Sequence, residues 1–234
     1  MAAGITEFAS GLPWVSLWAV RQPHTGDFMT NSDNSFLARA RYPKGRKTLQ
    51  AILDATYELI IAEGPTAASQ QAIADRARVT QSAVRHYFPT KDDLLMAFFT
   101  TGIERMKSVL MAKFGEEGDN PRQLLLECAE LQFARIRDVD DVYFFEATAF
   151  ARRNSEFALL RGGWYQLVCQ KYQQLLQRMH PQWSDEHCAD TAYQVMTLVM
   201  GGWITAGRSH LLDKQARTDD LIRILRRGIE RLID

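Results

Sequence analysis

Cysteine is scarce: Cys128, Cys169 and Cys188 are the only three in 234 residues, an odd number with no CxxC spacing. That argues against a disulfide framework or a zinc site and reads as buried thiols in a reducing cytosol. Long apolar runs are missing too. The longest uncharged stretch, Thr191 to Gly207, contains Gln194 and three glycines. It falls short of the ~20 apolar residues that span a bilayer. Leu12 to Val20 has the size of a signal-peptide core but lacks a preceding basic stretch and a small-residue cleavage site. The expected location is therefore the cytoplasm, with no membrane contact. Catalytic signatures are also absent: there is no GxSxG, P-loop, HExxH or Glu-x-x-His pair. His187 and Cys188 are adjacent, so on a helix they point about 100° apart, poorly placed to share a metal. His180 and His210 have no partner at ligand spacing. No enzyme, metal or cofactor is expected.

Net charge is absent as well, with 28 Lys or Arg against 28 Asp or Glu, but the balance is uneven along the chain. Residues 36–110 carry eleven Lys or Arg and seven acids, giving +4, while the flanking segments are each −2. A basic segment in a neutral protein suits a localised nucleic-acid site. Residues 1–45 lack a sustained period and read as a flexible extension, basic towards its end through Arg39, Arg41 and Lys44. Met29 would make a natural start; an upstream start codon and a functional arm bearing Trp14 and Trp18 are both open readings of what precedes it.

Beyond Lys47 helical periodicity dominates. Leu49, Ile52, Leu53, Thr56 and Ile60 form one face of a helix that Gly64-Pro65 stops. Ser69 caps a short helix through Ala77, and Thr80 caps another through Phe88. Thr90-Lys91-Asp92-Asp93 is a capping box opening a long fourth helix. Further helices are expected near 121–137, 141–152, 155–180, 185–212 and 218–233. The fold class is all-α. Its expected divisions are the 1–45 extension, a helix-turn-helix domain over 46–95, and a larger ligand-binding and dimerisation domain over 96–234.

Two short capped helices three residues apart form a helix-turn-helix pattern. Ala72, Ile73, Ala77, Val79, Val84 and Phe88 supply its inner side. Gln81, Ser82, Arg85 and Tyr87 supply an outer side that can reach base edges. Arg85 suits guanine O6 and N7, and Gln81 suits adenine N6 and N7. The Ser69 hydroxyl and Lys91 are placed for phosphates. One corner of an all-α enzyme could show the same two helices, but not the full capping pattern with a basic segment around it.

The run from Ile73 to Leu95, IADRARVTQSAVRHYFPTKDDLL, resembles the signature of the TetR/AcrR family of transcriptional regulators, an "IA..AGVS...LY.HF..K..L" pattern. The resemblance covers roughly residues 46–110. It implies that Gln81, Ser82, Ala83, Arg85 and Tyr87 face the major groove of operator DNA and that Lys91 holds a phosphate. Two positions depart from the pattern: Arg78 stands where the turn usually has Gly, and Arg85 where Tyr is usual. The first implies backbone strain if Arg78 is left-handed, and the second leaves the operator sequence open.

In the C-terminal half, Cys188, Ala192, Val195, Val199, Gly202 and Ala206 recur at spacings of four and three and make a small-residue face. Leu221, Leu225, Gly228 and Leu232 make a matching stripe on the last helix. The expected homodimer interface is Ala192, Val195, Val199, Gly202, Ala206 and Leu225, because the resemblance implies that these two helices pair with their copies. Tyr193, Met196, Met200, Trp203 and Gly207, one residue on, are expected to face the chain's own core. The middle helices are rich in aromatics, and TetR-like proteins enclose an inducer pocket there. Phe145 and Trp164 are the expected pocket residues, for a small apolar or cationic molecule. The expected function is a ligand-responsive regulator, a repressor released from a palindromic operator by an inducer. The competing readings are an all-α small-molecule-binding protein with vestigial DNA binding, or an unrecognised helical enzyme.

Overall fold

The computed structural model describes residues 43–116, 120–138, 141–206 and 218–234, and these lie within one compact unit, Ala40–Asp234. The described residues are helical and contain no strand. In chain order the helices are α1 (Pro43–Glu63), α2 (Gln70–Ala77), α3 (Gln81–Tyr87), α4 (Lys91–Phe114), α5 (Pro121–Asp138), α6 (Asp141–Arg153), α7 (Ser155–Met179), α8 (Asp185–Ala206) and α9 (Thr218–Ile233). Of the expected 1–45 extension, residues 1–42, with Trp14, Trp18 and Met29, lie outside the described residues, as does 207–212 of the expected eighth helix.

Helix α1 begins at Pro43, earlier than its apolar period alone indicates and within the segment read as an extension. Proline suits a first helical position, where its missing N–H has no partner to lose. The face of Leu49, Ile52, Leu53, Thr56 and Ile60 is buried as its spacing requires. Gly64 ends the helix with φ +81°, a conformation open to a residue without Cβ. Helices α1 to α3 and the start of α4 close over Ile52, Ile60, Ile73, Val84, Phe88 and Leu94, each at most 1% exposed.

Helix α4 runs unbroken from this small domain into the larger bundle, so the expected boundary at 95/96 falls inside it. Its middle is held by rings. Phe99 lies 5.4 Å from Tyr143, 5.4 Å from Phe150 and 5.6 Å from Phe157, centroid to centroid. Such tilted contacts stabilise beyond the area they bury. Gly102 makes the closest approach possible, because a Cβ there would overlap the Tyr143 hydroxyl. The Tyr143 hydroxyl thereby donates to the Phe99 carbonyl at 3.0 Å.

The larger core packs α5, α7, α8 and α9 around Leu125, Phe133, Val168, Tyr172, Leu176, Val195, Val199 and Ile229. Tyr172 is fully buried and donates to Gln132 Oε1 at 3.0 Å, which satisfies both groups. At the edge, Arg226 pairs with Glu130 at 2.6 Å and Arg122 forks onto Asp234 at 2.8 and 2.7 Å, tying α9 to α5. All three cysteines are buried thiols. Burial pushes Cys128 up to about 12 and Cys169 to about 11, so neither ionises near neutrality.

Candidate nucleic-acid interface

Local hydrogen bonds set the two short helices before any long-range contact does. The Ser69 hydroxyl accepts from the Ala72 N–H at 3.1 Å, and the Thr80 hydroxyl accepts from the Ala83 N–H at 3.1 Å. Both caps are in the extended region, as capping requires. Each hydroxyl keeps its own proton to donate outward.

Between the helices, Arg78 is left-handed at φ 56°, ψ 42°, the only non-glycine with positive φ among the described residues. Its neighbour Val79 donates back to the Ala74 carbonyl at 3.0 Å, closing the end of α2. Holding Cβ there costs about 1 kcal/mol. The strain expected from the sequence is therefore present, and the Arg78 side chain is exposed.

Val84 and Phe88 anchor α3 from below, at 0% and 1% exposure. With that side fixed, Gln81, Ser82 and Arg85 stand exposed, while Ala83 and Tyr87 are half-buried at the flank. Gln81 and Arg85 are one helical turn apart and share a face. His86 is also exposed and sits edge-on to Tyr87, with centroids 5.3 Å apart. Sequence reasoning passed over it, although Ser82 and His86 have the same i, i+4 spacing as Gln81 and Arg85.

The angle of α3 is held by contacts that no local pattern announces. Gln70 Nε2 donates to the carbonyls of Phe88 and Pro89 at 3.0 and 3.2 Å, latching the start of α2 to the end of α3. Arg76 pairs with Glu58 of α1 at 3.0 Å. Thr90 and Asp93 form the full capping box, with both backbone–side-chain bonds at 3.0 Å. Lys91, next to that cap, is exposed, and its Nζ reaches the Thr66 carbonyl at 3.4 Å. Ser69 and Lys91 thus lie at the starts of α2 and α4, where N–H groups and helix dipole favour an anion.

Four of the six expected dimer residues need correction. Ala192, Val195 and Val199 are 0% exposed and Leu225 is 7% exposed within the single chain, all in its own core. A Cβ on Gly202 would lie 2.9 Å from the Phe133 ring of α5. The small-residue face of α8 therefore admits a close helix of the same chain, and Ala192, Val195 and Val199 have no surface left for a partner. The Ala206 side chain lies outside the described residues. The large apolar side chains that α8 leaves exposed are instead Tyr193, Leu198 and Ile204, at 55%, 37% and 50% exposure, with Ile224 of α9 at 61%. Tyr193 had been expected inside, with Met196; Met196 is buried and Tyr193 is not.

The two expected pocket residues differ in burial. Trp164 is buried in the larger core, and Phe145 is 37% exposed on α6, against Phe144. Phe144 in turn meets the Trp203 ring edge-on at 4.9 Å. Trp203 Nε1 is buried with no hydrogen-bond partner, an N–H that sequence reasoning had no signal to find.

Residues 52–98 match the sequence model of bacterial regulatory proteins of the tetR family. The HTH-type transcriptional regulator PksA of Bacillus subtilis (strain 168) is 30% identical over 115 residues, 47% of this chain and 54% of that protein. The chain thus spans about half the length of this relative. Among solved structures, a TetR transcription regulator from Haloarcula marismortui superposes with a TM-score of 0.66 at 22% identity, over 80% of this chain and 96% of that one. A regulator from Saccharomonospora viridis in complex with choline gives 0.66 at 18% identity, over 77% and 94%. FadR of Bacillus subtilis in complex with stearoyl-CoA gives 0.57 at 16% identity, over 80% and 98%. At such identities these likenesses concern the fold. No described helix is long and apolar enough to cross a membrane.

Proposed function

Because this chain belongs, through residues 52–98, to the TetR family of transcriptional regulators, we propose that it is a cytoplasmic repressor that binds a palindromic operator as a homodimer and leaves it when a small molecule binds. The observation that carries the reading is α3: capped by Thr80, anchored by Val84 and Phe88, and presenting Gln81, Ser82 and Arg85 outward. In this reading Arg85 takes guanine through two hydrogen bonds and Gln81 takes adenine, with Ala83 and Tyr87 packing on bases or sugars beside them. Ser69 and Lys91 hold phosphates and set the register.

A single reading head covers one half-site, and two-fold pairing supplies the second. The surface we assign to that pairing is Tyr193, Leu198 and Ile204 of α8 with Ile224 of α9, since exposed large apolar side chains gain most from burial against a partner. In this reading α1 to α3 and the start of α4 serve DNA, and the bundle beyond serves ligand and partner. The inducer reading rests on the aromatic contact between α6 and α8 and on the unpaired Trp203 N–H. The chemistry is an apolar or cationic molecule; choline in one relative of the fold is in keeping with a cation, and stearoyl-CoA in another with an apolar chain.

The test is titration of the protein against a duplex from its own promoter region and a scrambled duplex, at several salt concentrations. A specific complex with two chains per site is expected. Equal affinity for both duplexes would refute sequence reading, and one chain per site would refute the dimer.

A further inference from the structure

Arg161 is a cation taken partly out of water without an opposite charge beside it. It stands half-buried on the side of α7 that faces α6, and its guanidinium donates to the Thr148 hydroxyl at 2.9 Å. Its central carbon lies 5.8 Å from the centre of the Tyr165 ring, one turn further along α7. Both partners are neutral. Burial raises the Tyr165 phenol above its ordinary value, so it keeps its proton near neutrality and supplies no charge. Among the described residues Arg161 has no carboxylate partner. Glu146 lies two residues before Thr148, about 200° away around α6, and Glu156 five residues before Arg161, about 140° away around α7. A guanidinium carries five N–H donors in a planar fork, and one hydroxyl leaves most of them to another acceptor.

A second donor meets the same face of α6. Phe144 is one turn before Thr148, and the Thr148 hydroxyl donates to the Phe144 carbonyl at 2.9 Å. The Phe144 ring meets Trp203 of α8 edge-on at 4.9 Å, and the Trp203 Nε1–H is buried without an acceptor. An indole N–H can only donate, and a buried donor left unpaired is destabilising. Guanidinium and indole therefore flank one face of α6 with donors that the chain does not satisfy. We infer that α6, α7 and α8 bind an apolar organic acid, with Arg161 taking its carboxylate and the Phe144–Trp203 ring pair holding its chain. The inference rests on the inducer reading above and narrows its chemistry to an apolar body with an anionic end. A cationic ligand would meet Arg161 with charge of like sign.

Three probes of equal chain length separate the chemistries: decanoate, decanol and decyltrimethylammonium, titrated calorimetrically into the full chain without DNA. Decanoate should bind about ten- to a hundredfold more tightly than decanol, the worth of hydrogen bonds to a charged group. Decyltrimethylammonium should bind more weakly than decanol. In Arg161→Gln the acid should fall to the affinity of the alcohol while the alcohol keeps its own, and Arg161→Lys should retain part of the preference. Equal losses for acid and alcohol in Arg161→Gln would make the residue structural and overturn the inference. A wild type that binds acid and alcohol alike, or that favours the ammonium, would overturn it too and leave an inducer of other chemistry standing. A chain that binds none of the three would take down both this site and the inducer reading.

Discussion

Gly102 is the position where the packing makes its sharpest demand, and Gly102→Ala tests it. In a helix interior the change alone should stabilise by about 1 kcal/mol, because alanine loses less backbone freedom than glycine. Here the new methyl would overlap the Tyr143 hydroxyl and lie 2.5 Å from its Cζ. The phenol must move, and it is wedged between Phe98 and Phe99, each with its centroid 5.4 Å from Tyr143. Overpacking of this kind costs about 1–3 kcal/mol. Movement also breaks the 3.0 Å bond to the Phe99 carbonyl, and a buried hydroxyl left unpaired costs about 1–3 kcal/mol more. The net expectation is a loss of about 3 kcal/mol. For a chain of this size that is about 6–12 °C in thermal midpoint. The assay is urea and thermal unfolding of Gly102→Ala, Tyr143→Ala and the double variant. In the Tyr143→Ala background the same Gly102→Ala change should reverse sign and stabilise by about 1 kcal/mol, since nothing then occupies the space. A neutral or stabilising Gly102→Ala in the wild type would refute the wedge, and an absent reversal would refute its assignment to Tyr143.

Other perturbations separate reading, strain and assembly. Arg85→Ala should weaken specific binding by about 1–3 kcal/mol and relax preference at one base pair per half-site, measured by competition with operator variants; an intact preference would remove Arg85 from base reading. Arg78→Gly should stabilise by up to about 1 kcal/mol by relieving the left-handed Cβ; an unfolding curve shifted to lower urea would contradict that account. Ile224→Asp should leave the folded chain intact while sedimentation shows monomer, whereas Gly202→Phe should unfold the chain by driving a ring into Phe133. A soluble monomer from Gly202→Phe would return the interface to the small-residue face.

What the sequence determines by itself here is local. The Ser69, Thr80 and Thr90 caps each engage a backbone group three residues away, so side-chain type and spacing alone announce them. The helix-turn-helix and the outward set of Gln81, Ser82 and Arg85 follow from that short range, as does the all-helical class from apolar periods. The tertiary structure decides which apolar face meets which neighbour. Periodicity finds two stripes on α8 but carries no information on whether the small one receives α5 of its own chain or a partner's helix. Phe133, 69 residues upstream of Gly202, settles that. The Gln70 latch, the Tyr143 wedge and the unpaired Trp203 N–H belong to the same class. Each is a contact between groups 18 or more residues apart, or the lack of one. Such contacts are created only when packing brings helices together, and they leave no periodic trace in the chain.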